Sequence, residues 1–215
     1  MTRTKFLAAL EFAGIFIGLP CIMYFHATRW NVHALLWLIS LGALVWQRIY
    51  DKTSWHELWH GHGWDAGERK KAVWRFLAST AAIILLTQYL APYRMLTFPM
   101  QRPGFWLIVM VLYPILSVIP QEFVFRSYFF RRYEALFGNE YVLTAASALS
   151  FAFMHIVFHN WVSPSLCLIA GTIFATSYRR HRSLKWAVIE HSAYGCMVFT
   201  VGIGFYFLVG GGSLR

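Results

Sequence analysis

The stretch that decides the fold reads Tyr113-Pro-Ile-Leu-Ser-Val-Ile-Pro-Gln-Glu-Phe-Val-Phe-Arg-Ser-Tyr-Phe-Phe-Arg-Arg132. It places Gln121, Glu122 and Arg126 inside an apolar run that is long enough to cross a bilayer. A carboxylate or a guanidinium at membrane depth costs roughly 2.5–3.5 kcal/mol even on the lenient insertion scales, so such groups usually face a bundle interior or a watery cavity. Glu122 and Arg126 are four residues apart and would share one helix face, where they can pair. Two interpretations stay open here: a structural ion pair between helices, or part of a functional site.

Composition places the whole chain in a membrane. The 215 residues are 58% hydrophobic and only 13% charged, whereas a soluble domain normally carries about 25% charged residues. Apolar runs of roughly 16 residues or more recur along the chain and leave no room for a separate soluble domain. We therefore expect a single all-α integral membrane domain over residues 1–215, built as a polytopic helical bundle in lipid.

Seven apolar segments predict about seven transmembrane helices. They lie near residues 6–26, 32–47, 72–90, 104–130, 141–158, 164–178 and 184–208. Pro114 and Pro120 each remove a backbone hydrogen bond, so we expect the fourth helix to kink or break there. A break directly before Gln121 would present the polar groups to a cavity.

The basic residues flank these segments and predict the orientation of the chain. With the N-terminus in the cytoplasm, 14 of the 19 lysines and arginines lie at cytoplasmic ends, four lie on the opposite side, and Arg126 lies in the membrane. This asymmetry predicts a cytoplasmic N-terminus and a C-terminus on the opposite side, in the inner or plasma membrane if the source is bacterial. Because the basic residues cluster beside the apolar segments, we expect the net charge of +10 to contact lipid headgroups, and we disfavour nucleic acid as a partner.

Two later segments carry histidines at membrane depth. His155 lies near the end of the fifth segment with His159 one helical turn further on, and His191 lies in the last segment. A single intramembrane histidine is usually a helix-packing residue, but Glu122, His155 and His191 on three separate helices favour one convergent site. Their chemistry is the activation of water, with a carboxylate base and imidazoles as proton carriers, metal ligands or oxyanion donors. No serine or cysteine lies beside a base in a nucleophile arrangement, which disfavours covalent catalysis.

The order of these residues resembles that of the CPBP family of intramembrane proteases, which comprises the CAAX prenyl proteases and the bacteriocin-processing (Abi) enzymes. That family is recognised by Glu-Glu-x-x-x-Arg, then Phe-x-x-x-His, then His with Asn or a small residue four positions later. This chain has Gln121-Glu122-Phe-Val-Phe-Arg126, Phe151-Ala-Phe-Met-His155 and His191-Ser-Ala-Tyr-Gly195. The resemblance covers about residues 113–205, within a family-like core of about 104–208. Each motif is weak alone, whereas the ordered trio is fairly specific.

The resemblance implies an endopeptidase, described for the family as an intramembrane metalloprotease, that hydrolyses a peptide bond in or next to the membrane. Glu122 and His155 would activate water, and His191 would help to hold the oxyanion. The implied partner is a hydrophobic or lipidated peptide or protein substrate. The site fits either a divalent metal such as zinc, with Glu122, His155 and His191 as candidate ligands, or a metal-free arrangement.

One residue departs from the family pattern, and a second is the small residue that the pattern allows in place of Asn. Gln121 stands where the family has the glutamate that commonly activates water, and an amide cannot take a proton. Either Glu122 has taken over that role or the protein has lost hydrolysis, and the intact Glu122, Arg126 and histidines favour an active variant. Gly195 lacks the side-chain donor of Asn. The residues expected to support the catalytic ones are Gln121, Arg126, His159, Asn160, Glu190 and Gly195.

A rival motif lies in the polar stretch between the second and third segments. His56-Glu57-Leu-Trp-His60 has the zincin pattern, in which both histidines bind zinc and Glu57 acts as base. The segment is polar, is bounded by Gly61 and Gly63, and offers no third ligand at a recognised spacing. We favour an amphipathic interfacial helix with its tryptophans at the headgroup level.

Two other functions compete with proteolysis. A catalytically inactive family member would use the same cavity to bind hydrophobic or lipidated peptides. A proton-coupled transporter would use buried Glu, Arg and His side chains as a relay, but the chain shows no repeat of Gly/Pro-broken helices.

Overall fold

The computed structural model describes residues 3–26 and 31–208, and within these ranges the chain is all-α and has no β-strand. The helices are α1 (Arg3–Ala13, continued through the π turn Gly14–Gly18 to Leu19–His26), α2 (Val32–Trp46, continued by the π turn Gln47–Asp51), α3 (Trp55–His60), α4 (Ala66–Leu90), α5 (Thr97–Gln101), α6 (Pro103–Arg132), α7 (Glu134–Phe137), α8 (Glu140–Met154), α9 (Val162–His181) and α10 (Leu184–Val201). Short 3-10 turns lie at Pro92–Arg94, His155–Phe158 and Ile203–Phe207. The predicted all-α class is confirmed.

Five of these helices are long and apolar enough to cross a membrane: α1, α2, α4, α6, and α8 together with the 3-10 turn that follows it. Their outer faces expose large apolar side chains such as Leu38, Leu85 and Val111. Exposed apolar surface on this scale marks a surface that is covered in the native setting, here by lipid. The chain is therefore a polytopic integral membrane protein. α9 and α10 have 20 and 18 residues but are more polar, and they do not belong to this set of five.

α6 continues through Pro114 and Pro120 without a break. Pro114 opens a π turn that ends at Val118, the α-helix resumes at Ile119–Glu122, and a second π turn covers Phe123–Tyr128. A π turn shifts the backbone hydrogen bonds by one residue, which accommodates the N–H that a proline lacks and rotates the side chains that follow. The two π turns thus bracket Gln121 and Glu122, and they decide which way these side chains face.

The second half of α6 forms the centre of the bundle. Every residue from 122 to 130 is buried. Phe125 makes edge-to-face contacts with Phe16 of α1 and Phe151 of α8, at ring distances of 5.4 and 5.3 Å. Aromatic pairs in this geometry add about 0.5–1.5 kcal/mol to the burial of their area. Helices from both halves of the chain are therefore packed around the polar residues of α6.

Glu11 ties α1 to this centre. Its carboxylate accepts hydrogen bonds from the hydroxyls of Tyr128 and Tyr133, the latter at 2.9 Å, and pairs with Arg132 at 2.6 Å. An acid inside an apolar helix is expensive unless it is paired. The two tyrosines and the arginine provide that pairing, so the role of Glu11 is structural.

Contacts between helix termini occur in two separate groups, one at each end of the bundle. At one end Arg131 pairs with Asp51, and the His62 N–H donates to the carbonyl of His181. At the other end the Leu96 N–H donates to the carbonyl of Val201, and the Asn160 side chain donates to the carbonyl of Tyr206. α9 and α10 consequently run between the same two ends as α8.

Candidate active site

Glu122 and His191 form a direct contact between α6 and α10. The Glu122 carboxylate is completely buried, and its Oε1 lies 2.8 Å from Nδ1 of His191. An ionised carboxylate only accepts hydrogen bonds, so Nδ1 of His191 carries the proton in this arrangement. A charge-assisted bond in a buried site is stronger than the same bond in water. The pairing joins two of the three residues that the sequence singles out.

Arg126 supports the carboxylate from one turn further along α6. Its Nε lies 3.2 Å from Glu122 Oε2, and both side chains are fully buried. The Nε–H does not point at the carboxylate, so Oε2 has no hydrogen-bond donor among the described residues. Arg126 Nη1 donates instead to Ser147 Oγ at 2.8 Å and to the carbonyl of Phe125 at 3.2 Å. The guanidinium therefore supplies positive charge to Glu122 while leaving Oε2 free to accept.

Aromatic rings hold His191 in place. Its ring stacks on Phe174 at 4.8 Å and meets Phe151 edge-on at 5.5 Å. The second nitrogen, Nε2, lies 3.1 Å from the hydroxyl of Tyr113. Both ring nitrogens of His191 thus have partners, Glu122 on one side and Tyr113 on the other.

His155 lies at the point where α8 gives way to a 3-10 turn. Its Nδ1 lies 2.7 Å from the carbonyl oxygen of Phe151, which can only accept, so Nδ1 carries the proton and Nε2 is left as an acceptor. The His155 ring packs on Phe151 at 4.7 Å. Phe151 contacts both histidine rings, and among the described residues His155 makes no hydrogen bond to Glu122 or His191. The structure joins Glu122 and His191 directly and brings His155 to the same phenylalanine.

The donor set does not form a ready three-ligand metal centre. Within residues 3–26 and 31–208, no group of three His, Cys, Asp or Glu side chains has an arrangement that could hold a metal ion. His191 has no nitrogen left for a metal, because Glu122 and Tyr113 occupy both. Among the described residues, Glu122 Oε2 and His155 Nε2 have no hydrogen-bond partner.

Gln121 lies next to this pair but is held by a different group. Its Nε2 donates to Ser117 Oγ at 2.7 Å, and its Oε1 is buried without a hydrogen-bond partner in the described part of the chain. Glu190 is also buried, yet it pairs with Arg75 of α4 rather than with a residue of the site. Each of these two supporting residues has one buried oxygen without a hydrogen-bond partner among the described residues, Oε1 of Gln121 and Oε2 of Glu190.

His159 and Asn160 belong to the end of the bundle instead. His159 is exposed, has a positive φ of 56° and packs on Tyr24 at 4.4 Å. Asn160 accepts from the Ser163 N–H at 2.9 Å and donates to the Tyr206 carbonyl at 2.8 Å, which connects the start of α9 to the 3-10 turn at Ile203–Phe207. The chain leaves the helix at His155, so the spacing of one turn from His155 does not bring His159 to the same face.

Tyr113 is a site residue that the sequence patterns do not reveal. A side chain at Gly195 would overlap the Tyr113 ring and hydroxyl, so the glycine leaves the space in which Tyr113 reaches His191. The only signal in the sequence is that Tyr113 opens the same apolar run that carries Glu122. Its partner is 78 positions away, beyond the reach of any local pattern.

The zincin-like motif lies on a helix of only six residues, α3. His56 and His60 stack on each other at 4.4 Å, and His60 Nδ1 lies 3.1 Å from the carbonyl of His56. Leu58 is buried while Trp55 and Trp59 are exposed, as in an amphipathic helix. No third metal ligand joins the two histidines among the described residues.

Comparison with known proteins gives one family match. Residues 103–197 match the family model described as type II CAAX prenyl endopeptidase Rce1-like. The matched segment contains Glu122, Arg126, His155 and His191. No curated protein and no solved structure matches the chain.

Proposed function

Because residues 103–197 match the family model described as type II CAAX prenyl endopeptidase Rce1-like, we propose that the chain is an intramembrane endopeptidase of the CAAX prenyl protease (CPBP) family that hydrolyses a peptide bond in or next to the membrane. The observation that carries this proposal is the bond between the buried Glu122 carboxylate and His191 Nδ1. The two groups come from α6 and α10, which are distant in sequence, and Arg126 places a positive charge beside them. Buried ionisable groups in membrane helices are expensive and are retained mainly for function.

Glu122 is the proposed general base. Arg126 places a positive charge beside it, and Oε2, which has no hydrogen-bond donor among the described residues, is the oxygen that accepts from the water. Glu122 takes a proton from that water, the resulting hydroxide attacks the peptide carbonyl carbon, and the proton passes to the leaving amine nitrogen. Gln121 cannot take the proton, because its buried Oε1 is an amide oxygen that only accepts hydrogen bonds.

The histidines have different proposed roles. His155 keeps Nε2 free, so it can accept a proton or a water hydrogen at the edge of the site. His191 donates its Nδ1–H to Glu122 and so holds the carboxylate in place, and the oxyanion role that the family resemblance implies for it has no free N–H in this arrangement. A metal-free mechanism fits this donor set best, because both nitrogens of His191 are occupied. Zinc held by Glu122, His155 and His191 is the alternative, and metal analysis of the purified protein separates the two.

For the membrane arrangement we propose seven crossings, with the N-terminus in the cytoplasm and the C-terminus opposite. α9 and α10 supplement the five apolar helices because they run between the same two ends as α8. The helix ends that meet around Arg131, Asp51 and His181 carry most of the basic residues, as the cytoplasmic side of a membrane protein does. The bend that the prolines predict in α6 would fall at its two π turns.

The substrate class that this site fits is a hydrophobic or lipidated peptide, and its test is cleavage in proteoliposomes. We expect the wild type to release fragments from a prenylated peptide or a hydrophobic transmembrane peptide. Glu122→Gln should abolish cleavage while keeping the side-chain shape. Glu134→Gln is the matched control, because Glu134 is exposed on α7, and it should cleave at the wild-type rate. Full activity of Glu122→Gln would place the base elsewhere.

A second candidate is a family member that binds such peptides without cleaving them. Gln121 in place of the usual glutamate favours it, because an amide has replaced a proton acceptor beside Glu122. Saturable peptide binding without fragments in the same proteoliposomes would support this alternative. Uptake driven by a pH gradient would instead support the transporter, for which the structure offers no specific observation.

A further inference from the structure

A cavity outside the candidate active site lies between the first half of α4 and the second half of α9, at the proposed cytoplasmic end of the bundle. Glu122, His155 and His191 do not line it. Its volume is about 230 Å³, whereas clefts that hold drug-sized ligands are larger, at roughly 300–1,000 Å³. The cavity therefore suits a compact group, such as the headgroup of a larger molecule.

The charges around the cavity leave one guanidinium without an acidic partner. Glu68, which lines the cavity, pairs with Lys71 at 2.8 Å. Glu190, which does not line it, pairs with Arg75. Arg180 lines the cavity, is exposed, and pairs with no acid in the part of the chain that the structure describes. The cavity thus presents a positive charge that the protein itself does not neutralise.

Two hydrogen-bond donors of residues that line the cavity are buried without an acceptor. They are Nε1 of Trp64 and Nε of Arg75, and neither has a partner among the described residues. Thr176 adds a hydroxyl to the same lining. Buried polar groups are nearly always paired with protein, water or a ligand. A set made of donors and cations matches a ligand that carries acceptors and negative charge, as a phosphate group does.

The position of the cavity favours a lipid as the source of that phosphate. Trp64 stacks on Trp186 at 4.8 Å, and tryptophans of membrane proteins concentrate at the level of the headgroups. Thr172, also on the lining, is eight positions before Arg180, which is roughly 12 Å deeper along α9. About one turn further lies Ile169, whose apolar side chain is 63% exposed. A ligand that follows the cavity meets charge at one end and exposed apolar surface at the other, which matches an anionic phospholipid.

We propose that this cavity binds the phosphate group of an anionic membrane lipid. The Arg180 guanidinium, the Arg75 Nε–H and the Trp64 Nε1–H donate to the phosphate oxygens, and an acyl chain lies along the exposed apolar side of α9. Basic pockets between transmembrane helices on the cytoplasmic side are a known setting for acidic lipid headgroups. The site is separate from the pair of Glu122 and His191, so the inference does not depend on the proposed endopeptidase function.

Native mass spectrometry of the full-length protein in detergent tests the site, with phosphatidylglycerol as the probe and phosphatidylcholine, which has no net charge, as the comparison. The wild type should bind phosphatidylglycerol more tightly than phosphatidylcholine. Arg180→Gln should weaken the binding of phosphatidylglycerol by about fivefold, the effect of one basic side chain at a lipid surface. Lys70→Gln is the matched control, because Lys70 is exposed near the start of α4 but does not line the cavity, and it should bind as the wild type does. Equal losses in the two variants would indicate attraction to general surface charge and overturn the proposal.

The indole signal of Trp64 tests the contact directly. In protein labelled with ¹⁵N-tryptophan, this signal is assigned by its loss in a Trp64→Phe variant. Added phosphatidylglycerol should shift the Trp64 signal, and added phosphatidylcholine should leave it in place. An unshifted signal in protein that has bound phosphatidylglycerol would place the lipid elsewhere and overturn the proposal.

Two competitors distinguish the possible sources of the anion. Neither inorganic phosphate nor a prenylated peptide should displace phosphatidylglycerol or reproduce the shift of the Trp64 signal. Displacement by inorganic phosphate would show that the cavity takes a free phosphate. Displacement by the peptide would assign the cavity to the carboxylate of a substrate, and either result overturns the assignment to a lipid.

Discussion

Arg126→Met should be one of the most destabilising single substitutions in the protein. Arg126 and Glu122 are both completely inaccessible, and the guanidinium lies 3.2 Å from the carboxylate. Removing one member of a buried pair leaves the other charge uncompensated, at about 3–5 kcal/mol. Ser147 loses little in addition, because its hydroxyl keeps the bond to the Phe125 carbonyl at 2.7 Å. We therefore expect a loss of about 3–5 kcal/mol in the free energy of unfolding.

The double variant Glu122→Gln with Arg126→Met shows whether uncompensated charge causes the loss. Both charges are then absent, and replacing a buried pair with neutral groups is often close to neutral. The double variant should be more stable than Arg126→Met alone. The measurement is equilibrium unfolding by SDS in mixed micelles, followed by tryptophan fluorescence.

Arg131→Met is the matched control for that experiment. Arg131 pairs with Asp51 at 3.1 Å, and both side chains keep about a fifth of their surface exposed, 21% and 23%. A pair of this kind contributes about 1 kcal/mol or less. If Arg126→Met costs no more than Arg131→Met, or if the double variant loses the sum of its single losses, the buried pair does not carry the energy assigned to it.

Three further predictions concern the remaining polar groups. His60→Ala should keep full cleavage activity, because α3 carries no metal site among the described residues; loss of activity with intact folding would revive the zincin interpretation. A chelator such as 1,10-phenanthroline should leave cleavage unchanged, and inhibition reversed by added zinc would contradict the metal-free mechanism. Asp65 caps α4, and the bond from the Glu68 N–H lowers the pKa of its carboxyl. Its contribution to stability is thus present above the unfolded-state pKa and is lost as the pH falls through the lower folded-state pKa. Asp65→Asn, which keeps a capping oxygen, should unfold with a weaker dependence on acidic pH in thermal melts, and an identical dependence would refute the assignment.

The pairing of Glu122 with Arg126 and the shared site with His191 follow from information that is present in the sequence. A spacing of four residues places Glu122 and Arg126 on one face of any helix. The high cost of exposing them to lipid directs that face toward other polar groups. These arguments depend on local geometry and on transfer energies, and neither requires knowledge of the neighbouring helices.

The path of α6 through its prolines depends on packing. Pro114 weakens an α-helix locally, but whether the chain breaks or forms a π turn is decided by the helices around it. The segment after His155 shows the same limit. A helical extrapolation places His159 one turn from His155, whereas the structure ends α8 and gives His159 a left-handed backbone. The contact between Tyr113 and His191 depends on how α6 and α10 pack together. The periodicity of residues along either helix does not predict it.

Glu11 has a consequence for how the protein is made. Its partner Arg132 lies 121 positions later. At about 5–20 residues per second, the ribosome needs roughly 6–24 s to produce that arginine after the glutamate has been added. During this interval Glu11 of α1 has neither Arg132 nor the hydroxyls of Tyr128 and Tyr133 to pair with. The Glu11 carboxylate must therefore be protonated, or bound by a lipid headgroup or an insertion factor, until the second half of α6 has been synthesised.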